Sequence, residues 1–209
     1  PEEEVVGDDD DTIGTQSENW IALEFVLHSE SSVAGTAVGY LAELVAESGV
    51  RQEIGVEIAS DIEAGLDYTG SVLTATRVGT HLLTATALEG DDVFTAEAPL
   101  AVEAGPLFAL DLVLDTNLTP AGEWVGMSVS GEDAWGNDVD VSAAEITADA
   151  ALELDGMEVR GLVTGSYPVT ASVSDLAADV TDTEDLEIIP IEPWEVDLTL
   201  SASEMIAGD

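Results

Sequence analysis

The sequence predicts an all-β chain in which one small sandwich domain is written twice and begun a third time. Three observations lead there. A stretch of fifteen residues recurs: Ile21-Ala-Leu-Glu-Phe-Val-Leu through Ala34-Gly35 matches Phe108-Ala-Leu-Asp-Leu-Val-Leu through Ala121-Gly122, 87 positions later. A shorter copy, Val196-Asp-Leu-Thr-Leu through Ala207-Gly208, follows 86 positions after that. Apolar residues alternate with polar ones inside each copy, the period of a half-buried strand. Turn signals fall about every 8–12 residues, and no apolar stripe of helical period is long enough for a helix. A repeat of this length is a whole domain and not one turn of a solenoid.

The expected organisation is an acidic segment at 1–19, domains at 20–106 and 107–193, and a partial repeat at 194–209. In the first domain Leu23, Phe25 and Leu27 share one face of the opening strand, with Glu24 on the other. Val38, Tyr40, Ala42 and Leu44 alternate in the second. Glu47-Ser-Gly-Val-Arg51 reads as a turn, with Gly49 free to take positive φ. Further runs lie at Ile54–Ile58 and Ser71–Val78; Gly79 starts a strand through Ala87, Gly90 marks a turn, and Phe94–Val102 closes the domain. The second domain repeats the plan: Leu110, Leu112 and Leu114 stand for Leu23, Phe25 and Leu27, and Val125, Met127 and Val129 for Val38, Tyr40 and Ala42. Ala42–Ala46 reads as helical in isolation, but its repeat partner Ser128–Glu132 does not, so both are assigned to strand. About seven short strands per domain, evenly spaced, favour a two-sheet sandwich. The junctions Glu103-Ala-Gly-Pro106 and Pro190-Ile-Glu-Pro193 are short and stiffened by proline, which makes a rod of beads the expected shape.

The charge is extreme. Forty-five acidic residues face three basic ones, Arg51, Arg77 and Arg160, for a net charge of −42, and there is no lysine. Nucleic acid is excluded as a partner, because phosphate contacts need cationic side chains. Anionic membrane surfaces are excluded for the same reason, and no run approaches the ~20 apolar residues of a membrane span, so no membrane insertion is expected. Self-repulsion at this charge opposes compaction unless salt screens it. A halophilic setting or an acidic surface neutralised by bound cations would each supply that screening. The absence of cysteine removes disulfides, thiol nucleophiles and cysteine-ligated metals.

Two motifs carry a family likeness. Gly165-Ser-Tyr-Pro-Val-Thr-Ala171 and its counterpart Gly79-Thr-His-Leu-Leu-Thr-Ala85 share one pattern, and Asp133-Ala-Trp-Gly-Asn-Asp-Val139 forms a Gly-Asn turn. With these the chain resembles tandem bacterial immunoglobulin-like domains of the invasin and intimin type, found in surface and filament proteins. The resemblance implies two tandem immunoglobulin-like β-sandwiches plus the opening strand of a third repeat. The first domain departs from it at Glu47–Arg51 and at His81, which holds the place of the tyrosine.

Candidate sites follow from residue types. Tyr167 stands where sandwich domains place a tyrosine whose hydroxyl bonds back to the backbone; His81 shares the slot, and His81 and His28 are read as packing or surface residues. Asp133, Asn137, Asp138 and Asp140 offer oxygens suited to calcium, although the spacing is not that of an EF-hand loop. The alternative is a hairpin turn in which Gly136 and Asn137 tolerate positive φ. Pairs Glu103 with Asp111 and Glu192 with Asp197 are further candidates for a bound ion at the junctions; Asp8–Asp11 reads as a solvated charge run. Asn117-Leu-Thr119 is a glycosylation sequon, disfavoured by Pro120. Trp124 is expected inside the second strand; with Trp135 at the same tip it would mark a ligand platform. No nucleophile–base pair, nucleophile elbow or phosphate loop is framed by the sequence, so no enzyme and no cofactor beyond calcium is expected. Trp194, Val196, Leu198 and Leu200 form a strand with an apolar face and invite pairing with another copy. The expected role is a structural subunit of an extracellular filament, fibre or surface layer, a homo-oligomer assembled head-to-tail through terminal strands. An adhesin stalk or ligand-binding module at the cell surface is the alternative.

Overall fold

The computed structural model describes residues 18–62, 64–174 and 179–191, and none of these is helical. Contacts divide the chain between Gly105 and Pro106. Each unit is a two-sheet sandwich.

The first unit contains β1 (Trp20–Leu27), β2 (Ser31–Val33), β3 (Ala37–Ala46), β4 (Arg51–Glu53), β5 (Glu57–Ser60), β6 (Leu66–Thr69), β7 (Val72–Ala75), β8 (Gly79–Glu89) and β9 (Asp92–Glu103). One sheet runs β1-β3-β7-β6, with β4 also on β3; the other runs β2-β9-β8-β5. The second unit contains β10 (Ala109–Leu114), β11 (Leu118–Pro120), β12 (Val125–Glu132), β13 (Glu145–Ala148), β14 (Leu152–Asp155), β15 (Glu158–Gly161), β16 (Gly165–Ser174) and β17 (Asp179–Ile189). Its sheets run β10-β12-β15-β14 and β11-β17-β16-β13. Apart from β4, the two units have the same strand order. A first-second-fifth-fourth sheet facing a third-sixth-seventh sheet is the immunoglobulin-like arrangement.

Alternation dictates which face is buried. β3 buries Val38, Tyr40, Ala42, Leu44 and Ala46, one residue in two. Leu23 and Phe25 meet them from β1, and Leu83, Ala85, Leu100 and Val102 from the opposite sheet. In the second unit Leu110, Leu112, Val125 and Met127 face Val169, Ala171, Leu186 and Ile188. Removing side chains of this size from water supplies about 1.5–3 kcal/mol each, which drives the two layers together.

The structure departs from the sequence expectation in several elements, among them β2, β11 and β4. β2 and β11, three residues each, pair parallel with the last strand of their own unit. They are too short to show a period. β4 occupies the end of the expected Glu47–Arg51 turn and pairs with β3 through Val45 and Arg51. It lies beside Glu24 and Glu43, which face each other across β1 and β3. Like charges placed so repel. Arg51 donates to both Glu24 oxygens and, at 3.2 Å, to Glu43, and its one positive charge offsets half of the pair's charge. The bond to Arg51 holds the Glu24 carboxyl below its usual range. Gly165 opens β16 at φ 156°, and a side chain there would strike the Tyr167 ring, whose hydroxyl would lie 2.8 Å from the added carbon.

Candidate functional site

The Asp133 turn closes on itself. It joins the end of β12 to a bridge between Glu132 and Asp138. Asp133 is 2% exposed, and its carboxylate faces the turn. Oδ1 accepts the N–H of Trp135 at 2.8 Å and of Asn137 at 3.0 Å; Oδ2 accepts the Asn137 side-chain amide at 2.8 Å. Gly136 takes φ 75°, which lets the chain reverse. Asp138 and Asp140 are exposed, and Asp140 accepts the Ser142 N–H at 2.9 Å, which lowers its carboxyl pKa. Thus the four candidates do not converge on one point. The Asp133 oxygens are taken up by N–H donors, and among the described residues no three acidic or histidine side chains are placed to share an ion. Two backbone N–H groups and the Asn137 side-chain amide hold the Asp133 carboxylate in this turn.

At the start of β8 and β16 a different device appears. His81 is 0% exposed. Its Nε2–H donates to the Arg77 carbonyl at 2.7 Å, which leaves Nδ1 to accept from the Ser60 hydroxyl at 2.9 Å. Ser60 also accepts the Ile62 N–H at 3.1 Å. At the matching position Tyr167 donates to the Thr164 carbonyl at 3.3 Å. The two side chains tie β8 and β16 to the turns before them, so both histidine and tyrosine serve packing at this corner. His28 is exposed.

Trp124 precedes β12 and Trp135 follows it, so the two stand at opposite ends of one strand and form no common platform. Contrary to expectation Trp124 is not buried: it is 39% exposed, and the Arg160 guanidinium lies 4.4 Å from its ring centre. Arg160 also holds Glu153 across the β14–β15 pair, with Nη2–Oε2 at 2.6 Å. Asn117 is exposed, whereas the sequon's Thr119 is buried in β11. Glu103 and Asp111 fall in different units. Asp8–Asp11, Glu192, Asp197 and the strand residues Trp194, Val196, Leu198 and Leu200 lie outside the described residues.

The feature common to both units is how they are closed. In the first, Ala101 donates to Glu30 O at 2.9 Å and Ala34 to Glu103 O at 2.8 Å, bracketing the parallel β2–β9 pair. In the second, Glu187 donates to Asn117 O at 2.8 Å and Ala121 to Ile189 O at 3.0 Å, bracketing β11–β17. Bond for bond the two clasps correspond. A strand near the start of each unit therefore lies alongside its last strand, pointing the same way. Sequence reasoning missed these clasps, although the repeated Ala34-Gly35 and Ala121-Gly122 mark where each one ends.

No protein-family model matches this chain, and no curated protein does. Among solved structures it is similar to the D00-D0 domain of intimin, at 9% identity and a TM-score of 0.48, covering 80% of this chain and 99% of that one. It is also similar to the Escherichia coli adhesin FdeC, at 16% identity and a TM-score of 0.41, covering 83% of this chain and 65% of that one. For the S-layer protein SbsC the identity is 16% and the TM-score 0.38, with 85% of this chain and 29% of that one covered. The assignment of fold rests on the strand order itself.

Proposed function

We propose that this chain is a non-enzymatic structural segment of an extracellular or cell-surface assembly, whose repeated sandwiches carry tension along the chain. The parallel clasp supports this reading most directly. When two parallel strands sit at opposite ends of a domain's sequence, a pull on those ends slides one along the other. Their hydrogen bonds must then yield together instead of unzipping one by one. Each bond is worth only ~0.5–1.5 kcal/mol singly, so loading them in parallel is what makes the domain resist. The acidic surface fits a setting in which salt or divalent ions screen it. Head-to-tail assembly of copies through Trp194, Val196, Leu198 and Leu200 is the finer part of this proposal, and it needs a partner strand from another copy. The adhesin stalk remains a relative of the same idea, but Trp124 and Trp135 at opposite ends of β12 do not favour a binding tip there.

Single-molecule pulling on the intact chain tests the reading. It should give two sharp unfolding peaks, each releasing roughly 30 nm, the reach of about 87 extended residues. Smooth extension without peaks would remove the mechanical role. Sedimentation of the same chain, with and without residues 194–209, tests the assembly: multimers that vanish on truncation are expected.

A further inference from the structure

The second unit carries an open groove beside β12 of about 580 Å³. Val129 of β12 lines it together with the apolar Met157, Val141 and Ile146 and the exposed Asp138 and Asp140. The backbone of β12 beside it is unfinished. Alternate residues of an antiparallel strand present N–H and C=O to opposite neighbours. Glu132 O faces β10, where it accepts from Phe108 N, so Met127, Val129 and Gly131 face the other way. Met127 N pairs with Met157 O, and Gly131 O accepts from Val139 N. Between them, among the described residues, no backbone hydrogen bond reaches Val129 from the side away from β10, because the β12–β15 ladder holds only Val125 and Gly126. In the first unit the matching Ala42 O accepts from Ile54 N at 3.0 Å. The same groove there is partly laced; in the second unit it is not.

We propose that this groove docks an extended segment of another protein, one that carries an apolar side chain flanked by lysine or arginine. Each part of the occupant follows from the groove. An unpaired N–H and C=O on one residue of an ordered strand is what a residue of an added strand satisfies. The apolar lining accepts an apolar side chain, and the exposed carboxylates favour cations next to it. The chain offers few cations of its own: it has no lysine, Arg51 and Arg160 are held by glutamates, and the third basic residue, Arg77, belongs to the first unit. A second copy, at a net charge of −42, would set acid against acid.

The test is a titration of the intact chain with the blocked peptide Val-Arg-Val-Arg-Val, followed by backbone amide NMR in 1 M NaCl, where the Debye length is only about 3 Å. Saturable shifts are expected at Val129, Val141 and Ile146, without matching shifts at Ala42 and Ile54. The peptide Val-Glu-Val-Glu-Val should give none. Ala144→Trp, which fills the groove, should raise Kd at least about tenfold, the loss of one good contact. Asp138→Asn changes almost no volume and, measured at about 0.1 M NaCl where an exposed charge pair still acts, should raise Kd about threefold. Shifts spread over both units that fade with salt would reduce the effect to charge condensation and overturn the proposal. Unchanged binding in Asp138→Asn together with Ala144→Trp, or in Asp138→Asn alone if the tryptophan variant does not fold, would do the same.

Discussion

The two units close the same corner with different side chains. At the start of β8 a fully buried imidazole makes two bonds, to a carbonyl and to a hydroxyl from the neighbouring β5. At the start of β16 a partly exposed phenol makes one longer bond to a carbonyl. A second contrast lies after the second long strand: the first unit continues into β4 and pins it with Arg51, whereas the second turns back on the Asp133 carboxylate. The difference teaches which constraints the fold enforces. Strand order, core alternation and the parallel clasp recur in both units. The corner lock and the turn need only some donor and some acceptor at a fixed place, so their chemistry is free to change.

That contrast has measurable consequences, and the largest concerns the corner. His81→Ala should cost the first unit about 3 kcal/mol, from the cavity and from the orphaned Arg77 carbonyl. Tyr167→Phe should cost the second only about 1 kcal/mol, the worth of one modest hydrogen bond. Denaturant unfolding followed by hydrogen-exchange mass spectrometry assigns each loss to its unit; equal losses would mean that the two locks are equivalent after all.

Asp133→Ala comes next, at about 2 kcal/mol in the second unit, because three N–H donors lose a charged acceptor. Added calcium should not stabilise the unsubstituted second unit. Stabilisation by calcium that Asp133→Ala abolishes would show that the turn is an ion site.

Alkali should separate the units more gently. Tyr40 is buried and donates to the Gly70 carbonyl at 2.6 Å, and burial raises its pKa above the ordinary 10.0. The folded form therefore holds its proton more tightly than the unfolded form. Its contribution is intact below the unfolded pKa and is lost as pH rises through the folded one. The first unit should loosen above pH ~10, while the second, with Met127 at the matching place, should not; Tyr40→Phe should remove the difference.

The smallest effect belongs to the surface. Arg51 is solvent-exposed, so Arg51→Ala should lower the first unit's melting temperature only slightly, and less in high salt. A drop as large as that of His81→Ala would mean that β4 is integral to the sandwich.

How far these features were legible depended on their range. Leu23, Phe25 and the Val38–Leu44 alternation disclosed β1 and β3, because each residue reports its face locally. The repeat settled Ala42–Ala46, which a single copy left ambiguous between helix and strand. The three-residue β2 and β11 escaped, since their partners lie some seventy residues away, at Ala101–Glu103 and Glu187–Ile189. Ser60 as the partner of His81 escaped for the same reason. Asp133 was read as a calcium ligand or as part of a hairpin turn, because in sequence an acidic turn looks alike whether its carboxylate faces N–H donors or an ion. Only the direction of the side chain distinguishes the two. Trp124 was expected inside the second strand, yet it stands one residue before β12, with its ring against Arg160.

The central claim is that both halves are one sandwich shut by the same parallel clasp. Amide hydrogen exchange on the intact chain, read residue by residue, tests it most directly. Ala34 and Ala101 in the first unit, and Ala121 and Glu187 in the second, should all be strongly protected, pair matching pair. Exchange at the unstructured rate for either pair, with the other protected, would contradict it.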